Sequence, residues 1–203
     1  KTLYQYSNGK TIVTNGLNES WIYSYDADAR LTGIDGPENY HLSFHYEGRH
    51  LTRVIQGNQC WQFAYNDSGD CIRIESPSGQ ITLRCYDNQH YLLTETLYQL
   101  FDADRHPQKP QTQHFVYDEL GHLRFEIMAD GTVTEYRYNS EGQCINSRCY
   151  LATYFSTQQL LIDQSLKLDE LLYWSLQQNQ QQVNLVAYAY DWRGNLTEEI
   201  HHS

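Results

Sequence analysis

Tyr117-Asp118-Glu119-Leu120-Gly121-His122-Leu123, followed by Asp130-Gly131 and a return to Tyr138, is the stretch that decides how this chain folds. The run Tyr65-Asn66-Asp67-Ser68-Gly69-Asp70-Cys71, with Ser78-Gly79 and Tyr86 behind it, superimposes on it without a gap. Each stretch reads as a turn ending in glycine, a strand, a second turn ending in glycine, and a strand returning to the next tyrosine. Asp118 and Asn66 suit turns because their side chains accept hydrogen bonds from backbone two residues on, and Gly121 and Gly69 supply a left-handed position at little steric cost. Asp130-Gly131 and Ser78-Gly79 are hairpin signals.

Between the turns the pattern has a period of two. Thr132, Thr134, Tyr136 and Tyr138 fall on one face and Val133, Glu135 and Arg137 on the other. Alternation of β-branched and aromatic residues predicts strands, not helices. Outward from this stretch the tyrosine phrase recurs at Tyr6, Tyr25, Tyr46, Tyr65, Tyr86, Tyr117, Tyr138 and Tyr190. A period of about 20 residues marks a chain built from copies of one supersecondary unit. The sequence therefore predicts a mainly β protein, an antiparallel meander of about sixteen strands at two per unit. The defining positions are Tyr25-Asp26, Tyr65 with Gly69 and Gly79, Tyr86-Asp87, Tyr117-Asp118 with Gly121, Leu123 and Gly131, Tyr138 with Gly142, and Tyr190-Asp191 with Gly194 and Leu196. Ala29 and His90 stand where a first-turn glycine is expected, and the Tyr6 and Tyr46 units are two residues shorter.

Two insertions break the rhythm. Residues 102–114 are polar and contain proline, which predicts an exposed loop. Residues 156–182 carry the helical signal: Ser156 and Gln159 as a capping box, Leu161, Leu168, Leu172 and Leu176 on one face, and Asp163 paired with Lys167. A helix is expected near 157–178, covering a bare face of the sheet. The domain reading is one β-strip of repeats over 1–203 carrying these two insertions.

Composition narrows the function classes. The formal net charge of −11 argues against a nucleic-acid surface, which needs clustered Lys and Arg. No run approaches the 18 or more apolar residues of a membrane-spanning helix. The chain opens within a strand pattern and stops just after the turn at Gly194, so it reads as a piece of a longer polypeptide. Its five cysteines include no CxxC pair and are expected to be reduced strand residues.

No catalytic, cofactor-binding or metal-binding residue is predicted. Nucleophile elbow, P-loop and HExxH phrases are absent. His41 and His45 lie four apart in a strand pattern, about 13 Å, too far to share an ion unaided. Asp102, Asp104, His106 and His114 share the polar insertion, where solvation explains them. The carboxylates Asp26, Asp87, Asp118 and Asp191 sit inside turn phrases. Tyr136 and Tyr138 beside Arg137 are the candidate platform for stacking on a sugar ring.

A tyrosine-aspartate turn, glycine and leucine after it and a second glycine before the next tyrosine resemble the YD-repeat of the RHS family. The fullest matches are Tyr117-Asp118…Gly121…Leu123…Gly131…Tyr138 and Tyr190-Asp191-Trp192-Arg193-Gly194-Asn195-Leu196. The resemblance implies a curved β-strip forming part of a hollow shell. Bacterial RHS proteins and the B and C components of insecticidal toxin complexes use such shells to enclose a toxic cargo, and teneurins carry a related shell at animal cell surfaces. The implied role is a non-enzymatic shell segment of an exported or cell-surface protein. Its implied partners are the remaining repeats and the toxin cargo, with a carbohydrate-binding or adhesion module as the alternative. No family-type cleavage segment is found, so self-cleavage is not carried over.

Overall fold

The computed structural model describes residues 1–101, 107–151, 153–157, 165–179 and 182–202. Sixteen strands follow one another as an antiparallel meander, and a further two-residue pair forms its own small hairpin. The chain divides into two compact units, 1–81 and 82–203.

The first unit contains β1 (Leu3–Ser7), β2 (Lys10–Thr14), β3 (Ser20–Tyr25), β4 (Leu31–Asp35), β5 (His41–Glu47), β6 (His50–Gln56), β7 (Gln59–Tyr65) and β8 (Cys71–Glu75). From β1 to β7 each pairs with its successor. The shorter Tyr6 and Tyr46 units have a structural cause. Ser7 pairs with Lys10 and Glu47 with His50, leaving two-residue turns at Asn8-Gly9 and Gly48-Arg49.

The second unit contains β9 (Ile81–Tyr86), β10 (Leu92–Tyr98), β11 (Leu100–Phe101), β12 (Pro107–Gln108), β13 (Gln111–Tyr117), β14 (Leu123–Ile127), β15 (Val133–Tyr138), β16 (Cys144–Tyr150), the helix α1 (Leu168–Leu176), β17 (Val183–Tyr190) and β18 (Leu196–His202). Strands β11 and β12 make the separate hairpin. All buried hydrophobic side chains among the described residues belong to this unit. Val116, Phe125, Ile127, Val133 and Tyr150 line one face of β13 to β16, and Leu171 of α1 closes over them.

Both insertions replace a second turn. The first leaves after β10 and returns at β13, which pair directly through Thr94 with His114 and Thr96 with Thr112. The second leaves after Tyr150 and returns at Val183, which face each other across the β16–β17 ladder. The meander is thus uninterrupted by either excursion.

Two expectations about the insertions change. Residues 111–114 are not loop but the start of β13, and His114 is buried. Composition misleads there because β10 offers a ladder partner, and Thr112 finds a buried hydroxyl partner in Thr96 at 3.0 Å. Residues 102–106 lie outside the described residues.

The helix is also shorter than expected. Residues 153–157 and 165–167 are not helical, and α1 starts at Leu168 without a side-chain cap. The Phe155 N–H donates to the Gly131 carbonyl at 2.9 Å, which ties this segment to the β14–β15 turn. Gln159, Leu161 and Asp163, and with them the capping box and the Asp163–Lys167 pair, fall outside the described residues. The buried side of α1 is Leu171 and Ser175, flanked by partly buried Leu168, Leu172 and Trp174, whereas Leu176 is 79% exposed. At 3.6 residues per turn Leu176 lies about 80° round the helix from Leu168.

Candidate functional site

The tyrosine phrase builds a ladder of contacts linking each unit to the one before. At each first turn the Asx side chain closes the loop. The Asp118 Oδ1 accepts from the N–H groups of Leu120 and His122, at 3.0 and 2.9 Å. Asp26, Asp87, Asn139 and Asp191 accept from the corresponding pairs, and Asn66 accepts from the Asp70 N–H. Gly69, Gly121, Gly142 and Gly194 hold positive φ, and so do Ala29 and His90 at the equivalent places.

The pairing register shifts at this point in unit after unit. Tyr25 pairs with Leu31, Tyr65 with Cys71, Tyr117 with Leu123, Tyr138 with Cys144 and Tyr190 with Leu196, each leaving an extra residue on the return strand. Such a β-bulge interrupts the ladder and leaves backbone groups to be satisfied otherwise. The next tyrosine along the chain supplies a donor. The hydroxyls of Tyr46, Tyr65, Tyr138 and Tyr190 donate to the carbonyls of Leu31, Leu51, Leu123 and Cys144, at 2.8–2.9 Å.

A second device escaped the sequence reading. The bulged residues Thr32, Thr52 and Thr197 donate their hydroxyls to the carbonyls of Ser24, His45 and Ala189. The recurring Leu-Thr pair at Leu31-Thr32, Leu51-Thr52 and Leu196-Thr197 is the signal that marks it.

The side chain just after the first turn completes each rung. His50 lies 4.5 Å from the Tyr65 ring, Tyr91 stacks on Tyr117 at 4.9 Å, and His122 stacks on Tyr138 at 4.6 Å. Arg30 places its guanidinium 5.0 Å from the Tyr46 centroid. The same side chains cover the next unit's glycine: a Cβ on Gly121 would meet the Tyr91 hydroxyl, and one on Gly142 would meet His122 Nε2 at 3.0 Å. These glycines serve both the turn and the close approach.

Electrostatics follow from this geometry. Burial raises the pKa of Tyr65, Tyr117, Tyr138 and Tyr190 above that of a free phenol. For Asp118 burial pulls upward, but the bonds from His122 and Leu120 outweigh it and its pKa falls. Asp26 is lowered first by the Arg30 N–H, and Asp191 first by the Asn195 amide.

The remaining candidates are dispersed or engaged. Gly79 turns at positive φ with open space around it, and Gly131 is wedged beneath the main chain of Phe155. His41 is paired with Asp35 at 2.6 Å, and His45 lies on β5 opposite Arg53. Asp102, Asp104 and His106 fall outside the described residues. Among the described residues no group of three or more His, Cys, Asp or Glu is arranged to hold a metal ion. All five cysteines are free.

The Tyr136–Arg137–Tyr138 platform is occupied by internal contacts. Tyr136 donates to Glu126, Tyr138 is stacked beneath His122, and Arg137 grips Glu135 through Nε at 2.7 Å and Nη2 at 3.2 Å. Glu135 is itself buried beside the Tyr150 hydroxyl, 2.7 Å away. Burial, then Glu135, pushes the Tyr150 hydroxyl up to about 12.

Comparisons with known proteins agree with this repeat. No family model matches the chain. A stretch of 128 residues, 57% of the chain, is 30% identical to the probable deoxyribonuclease RhsB of Dickeya dadantii (strain 3937). The match supports the resemblance of this repeat to that of the RHS/YD-repeat proteins. The crystal structure of TcdB2-TccC3 matches 91% of the chain with a TM-score of 0.59 at 19% identity. The Photorhabdus luminescens Tc holotoxin pore matches 90% of it with a TM-score of 0.58 at 16% identity. At these identities the structural matches speak to the YD-repeat fold alone. The chain spans only 9% of the length of RhsB and of each of these two solved chains.

Proposed function

We propose that this YD-repeat chain is a wall segment of a shell, belonging to an exported protein that encloses or delivers a toxin. The observation that supports the reading is the ladder itself. Its tyrosines, turn carboxylates and glycines are spent on joining one unit to the next, through hydroxyl-to-carbonyl bonds and stacked rings. The names of the similar proteins, a probable deoxyribonuclease of the Rhs type and toxin-complex components, agree with a toxin-associated wall. The segment itself acts as scaffold and not as enzyme. Its partners are the neighbouring repeats of the parent protein and the enclosed cargo. No helix among the described residues is long and apolar enough to cross a membrane.

Protease protection tests the proposal. In the parent protein carrying its cargo, the cargo is expected to resist a protease that digests it when expressed alone. Tyr46→Ala combined with Tyr138→Ala is expected to abolish that resistance. Equal digestion of cargo in the intact parent and in isolation would sink the encapsulation reading.

A further inference from the structure

The first unit holds a cleft that the repeat ladder does not use. Trp21 and Tyr40 form its walls, with ring centroids 5.1 Å apart and planes at 63°. Glu19, Pro37 and Glu38 complete the lining of a space of about 370 Å³.

The register explains the corner. Ile22 pairs with Asp35 and Asp35 with His41, and the Gly36 N–H bonds the Tyr40 carbonyl at 2.9 Å. Trp21, Gly36 and Tyr40 therefore stand in a row across three strands. Gly36 is extended, so its backbone does not demand glycine. Space demands it: a Cβ there would lie 2.6–2.9 Å from three carbons of the Trp21 ring. The missing side chain lets the indole lean over Gly36 and meet Tyr40 edge-on, which fixes two aromatic walls at a steep angle.

Carboxylates are held at the same mouth. Glu38 sits in the left-handed region at φ 56°, followed by Asn39 at φ 61°, a conformation in which Glu is disfavoured. Backbone bonds across Pro37–Tyr40 and Gly36–Tyr40 close this turn. Glu38 has no hydrogen-bond or ion-pair partner among the described residues. Glu19 is positioned by the Asn15 amide at 2.7 Å. Asp35 and His41, the next pair along the row, bind each other. No Lys or Arg lines the cleft.

Inclined ring faces beside carboxylates that no Lys or Arg neutralises are the chemistry that recognises an organic cation, because the ring quadrupole and the carboxylate attract the same charge. A sugar platform instead needs a flat open ring, and here the indole leans onto Gly36 with Tyr40 inclined beside it. We propose that Trp21, Tyr40, Glu38 and Glu19 bind an ammonium or guanidinium group. The group is either a Lys or Arg side chain of a polypeptide or a free quaternary amine. The net charge of −11 draws cations toward the protein at low salt.

Titration of the 203-residue chain, followed by NMR at the Trp21 indole N–H, tests this. That resonance is identified by its loss in Trp21→Phe. The ligands are choline, lysine amide, arginine amide, the uncharged choline isostere 3,3-dimethylbutan-1-ol, and glucose. Saturable shifts are expected with at least one cation, and binding should weaken at least about threefold in Glu38→Gln and in Tyr40→Leu. Choline alone binding identifies the quaternary amine as the source; the amino-acid amides binding identifies the side chain. Thermal melting of both variants serves as the folding check, and Glu38→Gln, at a surface turn, keeps the test valid if Tyr40→Leu unfolds. No saturable shift with any cation overturns the proposal. So does equal binding of the uncharged isostere, binding of glucose without the cations, or unchanged affinity in Glu38→Gln.

Discussion

The Tyr138 hydroxyl donates to the Leu123 carbonyl at 2.9 Å, spanning 15 residues to reach the unit before its own. Leu123 is the residue that pairs with Tyr117 just beyond the β13–β14 bulge, so one tyrosine satisfies backbone that another tyrosine's turn has disturbed. This bond makes the repeat cooperative, because removing a hydroxyl in one unit leaves a carbonyl unsatisfied in the previous one.

Tyr138→Phe isolates that bond while keeping the ring stacked under His122. The expected loss is about 1 kcal/mol of unfolding free energy. Tyr173→Phe on the exposed face of α1 should change nothing measurable. Urea unfolding of the two variants checks the contrast, and equal midpoints would show that the hydroxyl carries no net stability.

The helix gives a second contrast. Leu171 is fully buried against Phe125, Ile127 and Tyr150, and Leu176 is largely exposed. Leu171→Ala is expected to cost about 2–5 kcal/mol through lost burial and the cavity left behind. Leu176→Ala should stay within about 0.5 kcal/mol of the parent. Thermal unfolding distinguishes the two, and the reverse ranking would mean that the other side of α1 packs on the sheet.

Gly131 and Gly194 share positive φ but differ in surroundings. A Cβ on Gly131 meets the Phe155 carbonyl oxygen at 2.6 Å, whereas one on Gly194 meets the mobile end of Gln143 at 3.3 Å. Gly194→Ala should cost about 1–2 kcal/mol, the strain of a left-handed non-glycine residue. Gly131→Ala should cost clearly more, since the 153–157 segment must also move. Amide exchange at Phe155, whose N–H bonds the Gly131 carbonyl, should accelerate only in Gly131→Ala.

Stability should respond to pH in two windows. Burial lowers the pKa of His114 below 6.5, so the unfolded chain takes up its proton first. Stability from this group is complete above about pH 6.5 and declines as the pH falls from there toward the folded pKa. His114→Gln should remove that slope. The Asp118 pKa lies below 3.8, so its contribution is present above that value and is lost as the pH falls further. Asp118→Asn should lessen the acid dependence, leaving the share of Asp26, Asp130 and Asp191, yet keep the turn, because Asn66 and Asn139 already accept the equivalent N–H bonds. Denaturation midpoints measured from pH 2 to pH 8 test both substitutions.

The turns were legible because their causes are local. An Asx side chain reaches N–H groups two and four residues ahead, and glycine takes the left-handed position, so the phrase from Tyr117 to Leu123 contains its own explanation. The strand count follows from the same spacing. Contact partners were less legible. The Leu-Thr signal names its bonds only once the register is known, and a one-residue bulge changes which carbonyl is left open.

The insertions show where sequence stops. Leu168, Leu172 and Leu176 lie at helical spacing, yet α1 buries Leu171 and Ser175 between them, since the sheet beneath selects which stripe is covered. Residues 111–114 look like loop by composition and are strand because β10 offers Thr96 and Thr94 as partners. The sequence by itself determined the period, the meander and the turn chemistry, all of which act within a few residues. Tertiary structure decided the tyrosine hydroxyl's acceptor, the buried side of the helix and the aromatic corner over Gly36, because each joins residues distant in the chain through space that only the assembled ladder defines.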